Sequence, residues 1–320
     1  MKKGLKITLL LLVVLFLIGS VLIIIGVATG GTMKFNINLL EKRVETSNEV
    51  YRGEEKLAAF SNVEINVDSA DITIERGADY QISYAIRSSS EPVFTNDNGK
   101  LYFGKPKNQA GLFLNLGDIN TKKEELYVKV IIPDNVDLNE AILDTDAGTI
   151  NLDGINIKKL TADSDAGNIN LSNIETEMLK IDEDAGNIKL NNIKTGTVTL
   201  DNDSGKSTLD NLTGDSVTGK FDAGSISVKN GTIEKINIEI GAGETNISDS
   251  KISDVKIDSD FGSIKLELIG EAADYTIDSK VDFGSNEING KKQGSTYSVN
   301  GGNKKIDIES DSGNVKIDFK

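Results

Sequence analysis

The sequence predicts an all-β protein: a β-solenoid of 19-residue coils with an amino-terminal β capping module, preceded by one transmembrane helix. Three observations support this fold class. A long uncharged apolar run lies near the amino terminus, glycine recurs at intervals of 19 residues, and apolar residues alternate with polar ones within each interval. A fixed period is typical of stacked repeats, each of which buries its apolar face only against its neighbours.

The transmembrane helix is predicted by the 21 uncharged residues from Ile7 to Val27. At about 1.5 Å per residue they span roughly 31 Å, and the hydrocarbon core of a bilayer is about 30 Å thick. Lysines and no acid precede the run, so we expect residues 1–33 to form a cytoplasmic tip and a single membrane-spanning helix. The protein would be anchored in the cell membrane through residues 7–27, with its carboxyl-terminal domain extracellular. The alternative is a cleaved secretory signal, with the small residues Gly26 and Ala28 at the cleavage site.

Two segments separate this helix from the repeats. Residues 34–56 are mixed in charge and poor in large apolar residues, which indicates a stalk or linker. Residues 57–140 contain alternating strand patterns, such as Val63 to Val67, with irregular connections and most of the aromatic residues. We expect an irregular β module that caps the open edge of the solenoid. The alternative is that its aromatic residues form a sugar-stacking platform.

The solenoid repeats occupy residues 141–320. Apolar residues stand two and four, and again twelve and fourteen, positions after most of the repeated glycines, which indicates two short strands per coil. Coils stacked about 4.8 Å apart would align these residues in interior columns with parallel pairing. An antiparallel meander is the alternative, and the last strand, with Lys316, Asp318 and Lys320, would blunt the carboxyl-terminal edge. The glycines spaced by 19 are Gly148, Gly167, Gly186, Gly205, Gly224, Gly243 and Gly262, and Gly284 and Gly313 continue the motif at longer intervals.

Acidic residues precede the glycines of four consecutive repeats in the pattern Asp-x-Asp-Ala/Ser-Gly. In a solenoid they would form two columns of carboxylates about 5 Å apart. The structural interpretation is that each Asp closes an Asx-type turn and the glycine has a positive φ. The functional alternative is calcium bound along the columns through hard oxygen ligands. The candidate metal ligands are Asp144, Asp146, Asp163, Asp165, Asp182, Asp184, Asp201 and Asp203.

A column of asparagines stands six residues after the repeated glycine. Stacked Asn amides can form hydrogen-bonded ladders along a repeat axis, so we interpret this column as structural. Its members are Asn173, Asn192, Asn211 and Asn230.

The composition excludes several classes of function. The 320 residues contain no His, Cys or Trp, which excludes Ser-His-Asp and Cys-His catalysis and the usual zinc, haem and iron–sulfur sites. The formal net charge of −15 argues against a nucleic-acid partner, which requires a basic surface. Because no acid pair stands out from the repeats, we assign no catalytic residue and expect no enzyme activity. Calcium is the one candidate cofactor.

Several segments resemble the bacterial "putative adhesin" β-strand-repeat family, a domain of unknown function. These segments are Val63 to Ile74, the strand from Leu126 to Pro133, and the repeated Asp-Ala-Gly-Asn-Ile-Asn-Leu unit. LiaG-like envelope-stress proteins carry this domain behind one amino-terminal membrane segment. The resemblance covers about residues 57–320 and implies a β-repeat fold without defined catalytic residues.

We therefore expect a membrane-anchored extracytoplasmic protein that acts as a non-enzymatic binding, adhesion or envelope-stress module. Its partner would be the membrane and a cell-envelope protein or glycan. Two alternatives are a purely structural envelope scaffold and a carboxylate-dependent enzyme that acts on polysaccharides.

Overall fold

The computed structural model describes residues 49–88, 91–104 and 125–320, together with the backbone of three short strands at residues 36–38, 43–45 and 113–115. The predicted transmembrane helix and most of the predicted stalk lie outside the described residues. In the part of the chain that is described, no helix has the length and apolar character needed to cross a membrane.

The described chain is almost entirely β-structure and divides into two units. Strands β1, β2 and β9 form a small antiparallel sheet in the first unit, in the order β2-β1-β9, and the other strands belong to one large open sheet in the second unit. A 3-10 turn at Ala272–Asp274 is the helical element in the described residues. The strands are β1 (Asn36–Asn38), β2 (Arg43–Glu45), β3 (Glu49–Lys56), β4 (Asn62–Val67), β5 (Asp71–Gly77), β6 (Gln81–Ser88), β7 (Val93–Asp97), β8 (Lys100–Gly104), β9 (Phe113–Asn115), β10 (Tyr127–Pro133), β11 (Leu138–Asp153), β12 (Ile157–Lys229), β13 (Thr232–Leu268), β14 (Tyr275–Ile288), β15 (Lys291–Lys292), β16 (Thr296–Val299) and β17 (Lys304–Phe319).

The repeats stack as parallel coils with a register of 19 residues. Strand β11 lies beside the start of β12 so that Asp144 pairs with Asp163 and Gly148 pairs with Gly167. Strands β12 and β13 pair in parallel with the same 19-residue register. Parallel stacking is therefore confirmed for these repeats, the antiparallel meander is wrong for them, and the open sheet is consistent with the predicted β-solenoid.

Apolar columns fill the interior of the stack. Each coil turns the side chains of alternate residues inward, so equivalent residues of successive coils lie over one another. Their burial drives the stacking, because one coil alone leaves its apolar face in water. Fully buried members include Ile150, Ile169 and Ile188 in one column, Leu152, Leu171 and Leu190 in a second, and Leu160, Leu179 and Val198 in a third.

The backbones of consecutive coils come closest at a turn that we call the Gly corner, which comprises each repeated glycine and the four residues before it. A Cβ atom on Gly167 would overlap the carbonyl oxygen of Gly148, and one on Gly186 would overlap that of Gly167. The predicted positive φ occurs at Gly205 but not at these three glycines. The requirement for glycine in the first coils is therefore steric rather than conformational.

A second turn is built on the asparagine column, and here the backbone is left-handed. Asn173, Asn192 and Asn211 have φ values of 55°, 55° and 57°, which Asn tolerates better than most residues. Asn211 Nδ2 donates to Asn192 Oδ1 at 2.7 Å, and Asn192 Nδ2 donates to Asn173 Oδ1 at 2.9 Å. The predicted ladder is confirmed for these residues, whereas Asn230 donates to Asp210 instead of to Asn211.

Part of the segment predicted as an irregular module continues the stack. Strands β4 and β5 both lie parallel to β11 in a register of 78 residues, so Ala70 occupies the place of a corner glycine. Strands β8 and β10 add a further parallel layer. Strands β7 and β6 then pair antiparallel with β8 and β10.

The last coils do not stack in chain order. Strand β17 is parallel to both β13 and β14 and lies between them, so the glycine column runs Gly262, Gly313, Gly284. The expectation that the last strand forms the carboxyl-terminal edge is therefore wrong. The antiparallel strands β15 and β16 pair with β14 instead. The longer glycine intervals provide the chain needed for this crossover.

Replacing Gly167 with Ala should destabilise the protein by about 2–3 kcal/mol, because the added methyl group forces two close-packed backbones apart. Gly290 is the control: it has φ 70° and no atom near its Cβ position. Gly290→Ala should cost only about 1–2 kcal/mol, for the left-handed backbone. Urea unfolding measures both changes, and a smaller cost at Gly167 than at Gly290 would contradict the steric explanation.

Deleting residues 304–320 should loosen two coils at once, because β17 is the parallel partner of both β13 and β14. The deletion also removes four buried apolar side chains, Ile306, Ile308, Val315 and Ile317. Amide hydrogen exchange should show lost protection in residues 254–268 as well as in residues 275–288. Unchanged protection in residues 254–268 would mean that β17 is not inserted between the two strands.

Candidate functional site

The eight predicted metal ligands lie on the outside of the Gly corner. They occupy two positions of the coil, four and two residues before the glycine. The first position is half-buried in Asp144, Asp163, Asp182 and Asp201, and the second is exposed in Asp146, Asp165, Asp184 and Asp203. The structure thus brings the predicted residues together at one corner in consecutive coils.

Burial and the crowding of like charges raise carboxyl pKa values along these columns. Burial is the largest cause of the raised pKa of Asp163, Asp184 and Asp201. Neighbouring carboxylates add to it, and for Asp163 these are Asp182 and Asp165. Protons or cations near the columns would relieve the repulsion.

The geometry of the columns offers no ready-made metal cage. Within the described ranges, no group of three or more acidic side chains is arranged to hold a metal ion. Asp144 accepts a hydrogen bond from Asn66 Nδ2 of the adjacent layer. Calcium at the Asp columns stays a prediction.

The residue between the two aspartates of each corner points into the solenoid. Because side chains alternate along a strand, the outward pair Asp182 and Asp184 leaves Glu183 inside, where only 1% of it is exposed. Glu183 Oε1 accepts a hydrogen bond from the Gly167 N–H at 3.2 Å, whereas Oε2 has no partner in the described part of the chain. The buried side chains of this inward column are Thr145, Ser164, Glu183, Asn202, Phe221, Ile240, Ser259, Ser310 and Val281.

Burial raises the pKa of Glu183 to about 7. The hydrogen bond from the Gly167 N–H and the nearby hydroxyl group of Ser164 lower the pKa in part, and the nearby charges of Asp184 and Asp163 raise it. Near neutral pH the protein therefore holds a partly ionised carboxyl group inside its apolar core, which is costly unless a counter-charge is present.

In the last coils, two Gly corners carry an exposed aromatic ring. The residue directly before the glycine is Ala or Ser in most coils, but it is Phe261 in one of the last coils and Phe283 in another. These side chains are 62% and 77% exposed. Ser312 of β17 lies between them in the register, so the rings stand two coils apart, roughly 10 Å at 4.8 Å per coil.

A cavity of about 240 Å³ opens near Phe261, because its lining residue Asp260 directly precedes Phe261 in the chain. It forms where Gly241 replaces the outward Asp of the column, so that the side chains of the coils on either side border an open space. Its lining residues are Lys220, Phe221, Asp222, Glu239, Ile240, Gly241, Asp258 and Asp260. We call Phe261, Phe283 and this cavity the aromatic end of the Gly corner.

Two larger grooves lie elsewhere on the surface. One, of about 620 Å³, is bordered by Lys194, Asp215, Glu234, Lys251 and Lys304 among others. The other, of about 600 Å³, is lined mainly by asparagines and by the first coil. Among the described residues that line these grooves there is no aromatic side chain, so the aromatic end differs from them in chemistry.

Sequence reasoning placed the aspartates but missed the two features with the most distinctive chemistry. Phe261 and Phe283 break the Ala/Ser column, which an alignment of the repeats reveals. Glu183 lies between two outward aspartates, and the alternation of a strand identifies it as inward-facing. The insertion of Ser312 between the rings has no signal in the repeat pattern, because chain order places Phe283 in the coil next to Phe261.

Comparison with known families decides the classification. Residues 60–318 match the family Toastrack DUF4097. The chain belongs to the Toastrack family. This match confirms the resemblance drawn from the strand and repeat motifs, and it covers both the first coil and the inserted last coil of this Toastrack protein.

The solved structures to which this chain is similar include proteins from Bacteroides, Parabacteroides and Clostridium. A "putative adhesin" from Bacteroides fragilis is 15% identical, with a TM-score of 0.46, and the match covers 67% of this chain and 95% of that one. A "putative lipid binding protein" from Parabacteroides distasonis is 15% identical, with a TM-score of 0.41 and coverage of 85% and 97%. A "putative cell adhesion protein" from Clostridium sporogenes is 13% identical, with a TM-score of 0.23 and coverage of 85% and 100%. No curated protein matches this Toastrack chain in sequence.

The stability of the protein should fall as pH rises from about 4.5 to about 7. Glu183 has a folded-state pKa of about 7 against 4.5 for the free side chain, so between these values the folded state binds more protons than the unfolded state. This difference between the folded-state pKa and the unfolded-state pKa corresponds to about 3 kcal/mol of stability lost by pH 8.

Thermal unfolding at pH 5 and pH 8 measures this loss, in a buffer whose only added cation is tetramethylammonium, which is too large to enter the interior. Glu183→Gln should remove most of the loss, because the amide stays neutral at both pH values. Asp184→Asn, one residue away and exposed, is the matched control and should retain it. An equal loss in Glu183→Gln would assign the pH dependence to other groups.

Proposed function

We propose that this Toastrack protein is a membrane-anchored, extracytoplasmic binding module without enzyme activity, and that it binds an envelope glycan at the aromatic end of the Gly corner. Residues 7–27 would anchor it, and residues 57–140 would cap the solenoid at its amino-terminal edge. The observation that carries the proposal is the exposure of Phe261 and Phe283, at a position where the other repeated corners have Ala or Ser.

The exposed rings have no structural role that the fold requires. At the same position Ala147, Ala166 and Ala185 permit the same turn. Large exposed apolar side chains that lie together commonly mark a binding surface. Two flat faces roughly 10 Å apart can each lie against one apolar face of a sugar ring in an extended chain.

The charges around the rings favour a neutral, hydroxyl-rich partner. Asp260, Asp282 and Asp311 are exposed beside the phenylalanines, and carboxylates accept hydrogen bonds from hydroxyl groups. The same charges repel anionic polymers and nucleic acid. A neutral glycan provides both the apolar ring faces and the hydroxyl donors that this surface can use.

An enzyme that cleaves glycans is disfavoured by the position of the acid whose pKa is raised most among the described residues. Glycosidases pair a carboxyl group of raised pKa with an ionised one on either side of the scissile bond. Here the acid with the most raised pKa, Glu183, is 1% exposed and faces the interior, so it cannot contact a sugar. A purely structural scaffold, in turn, would not require the exposed rings of Phe261 and Phe283.

Binding to purified peptidoglycan sacculi, stripped of their anionic polymers, tests the proposal. In cosedimentation with the full-length chain, Phe261→Ala/Phe283→Ala should weaken binding at least tenfold, because stacked aromatic side chains dominate such contacts. Met178→Ala is the matched control, since Met178 is 51% exposed on another part of the surface, and it should bind like the unchanged protein.

Polygalacturonate, an anionic glycan, should not bind to the unchanged protein. Equal binding by the double variant and the unchanged protein would contradict the assignment of the site. Preference for polygalacturonate over the sacculi would contradict the assignment of a neutral glycan.

A further inference from the structure

Four polar side chains are buried in or next to the Gly corner, away from the proposed glycan surface. Ser164, Glu183 and Asn202 occupy the inward position of three consecutive coils, and Ser207 follows Asn202 across Gly205 in the same coil. Their exposures are 1%, 1%, 0% and 0%. Adjacent coils are about 4.8 Å apart, so these side chains form one small polar cluster in the interior.

Four oxygens of this cluster lack partners, whereas Glu183 Oε1 accepts the hydrogen bond from the Gly167 N–H. Glu183 Oε2, Asn202 Oδ1 and the hydroxyl oxygens of Ser164 and Ser207 accept no hydrogen bond from the described residues, and Asn202 Nδ2 donates none. Buried polar groups in native proteins nearly always have a partner. Four buried oxygens left without one are groups that a small ligand can bind.

Packing does not require polar residues at this position. The next two coils place Phe221 and Ile240 at the same inward site, where both are buried. A hydrophobic side chain thus fits the column and would avoid the cost of a buried carboxyl group. The carboxylate, amide and hydroxyl oxygens are instead the donor set that hard cations prefer.

The charge of the cluster matches a monovalent ion. Glu183 is its only acid, so a single positive charge leaves the buried site neutral, whereas a divalent ion leaves an uncompensated charge in the low-dielectric interior. Water satisfies hydroxyl and amide groups but supplies no counter-charge. On the outer face of the corner, Asp163 and Asp182 create a negative potential that attracts cations to this point.

We propose that Ser164, Glu183, Asn202 and Ser207 bind one sodium or potassium ion inside the solenoid. The ion joins three consecutive coils through oxygen ligands. It therefore stabilises the centre of the stack, at a place distinct from the outward Asp columns.

Thermal unfolding of the full-length chain at pH 8 tests this site. Tetramethylammonium chloride is replaced by NaCl or by KCl at constant ionic strength, so that screening of surface charges stays the same. A bound ion stabilises only the folded state, and we expect a rise in Tm of about 3 °C or more with at least one of the two salts. The rise should disappear in Glu183→Gln and persist in Asp184→Asn.

Sodium NMR provides a readout that does not depend on stability. Binding should broaden the ²³Na resonance in the presence of the unchanged protein, with competition by KCl, and Glu183→Gln should abolish the broadening. If only the KCl arm raises Tm, the ion is potassium, and the proposal holds without the sodium signal.

Three outcomes would overturn the proposal. An equal Tm in tetramethylammonium chloride, NaCl and KCl would mean that the cluster binds water and not an ion. A rise that persists in Glu183→Gln would place the ion elsewhere. Stabilisation by CaCl₂ alone, at matched ionic strength, would exclude a monovalent site, and its loss in Asp184→Asn would assign calcium to the outward columns.

Discussion

The close approach of backbones at the Gly corner is the constraint on which the rest of the molecule depends. Each corner glycine after Gly148 lies against the carbonyl oxygen of the glycine in a neighbouring coil, and Gly148 lies against that of Ala70, with no room for a Cβ atom. A residue inserted into or deleted from a coil would shift the glycine out of this contact. The 19-residue period follows, and it places the apolar columns in register over many coils.

The corner also separates two kinds of chemistry by the alternation of a single strand. Outward positions carry aspartates whose repulsion solvent can screen, while the residue between them is enclosed. The carboxyl group of Asp182 lies on the outer face of the strand, whereas that of Glu183, one position further along, lies in the core. The pKa of Glu183 therefore rises to about 7 through burial, although the outward residues carry the same functional group.

The parallel stack could be predicted from the sequence because its signal is periodic: glycine and apolar residues repeat at every coil. The order of the last coils could not, because the interval between Gly284 and Gly313 gives the length of the connection and not the partner of the strand. The first coil could not be recognised in the sequence for a similar reason. Ala70 takes the place of the glycine, and 78 residues separate it from its equivalent. At the site, residue types were visible, but the pairing of Phe261 with Phe283 depended on the order of the coils.

The inserted strand connects the fold to the proposed binding surface. Ser312 of β17 lies between Phe261 and Phe283, and its small side chain leaves a gap between the rings. If β14 were stacked directly on β13, the rings would lie one coil apart, about 4.8 Å, and would pack against each other rather than face a ligand. The spacing of the aromatic pair is therefore set by the last segment of the chain, so the surface is complete only when that segment has entered the sheet.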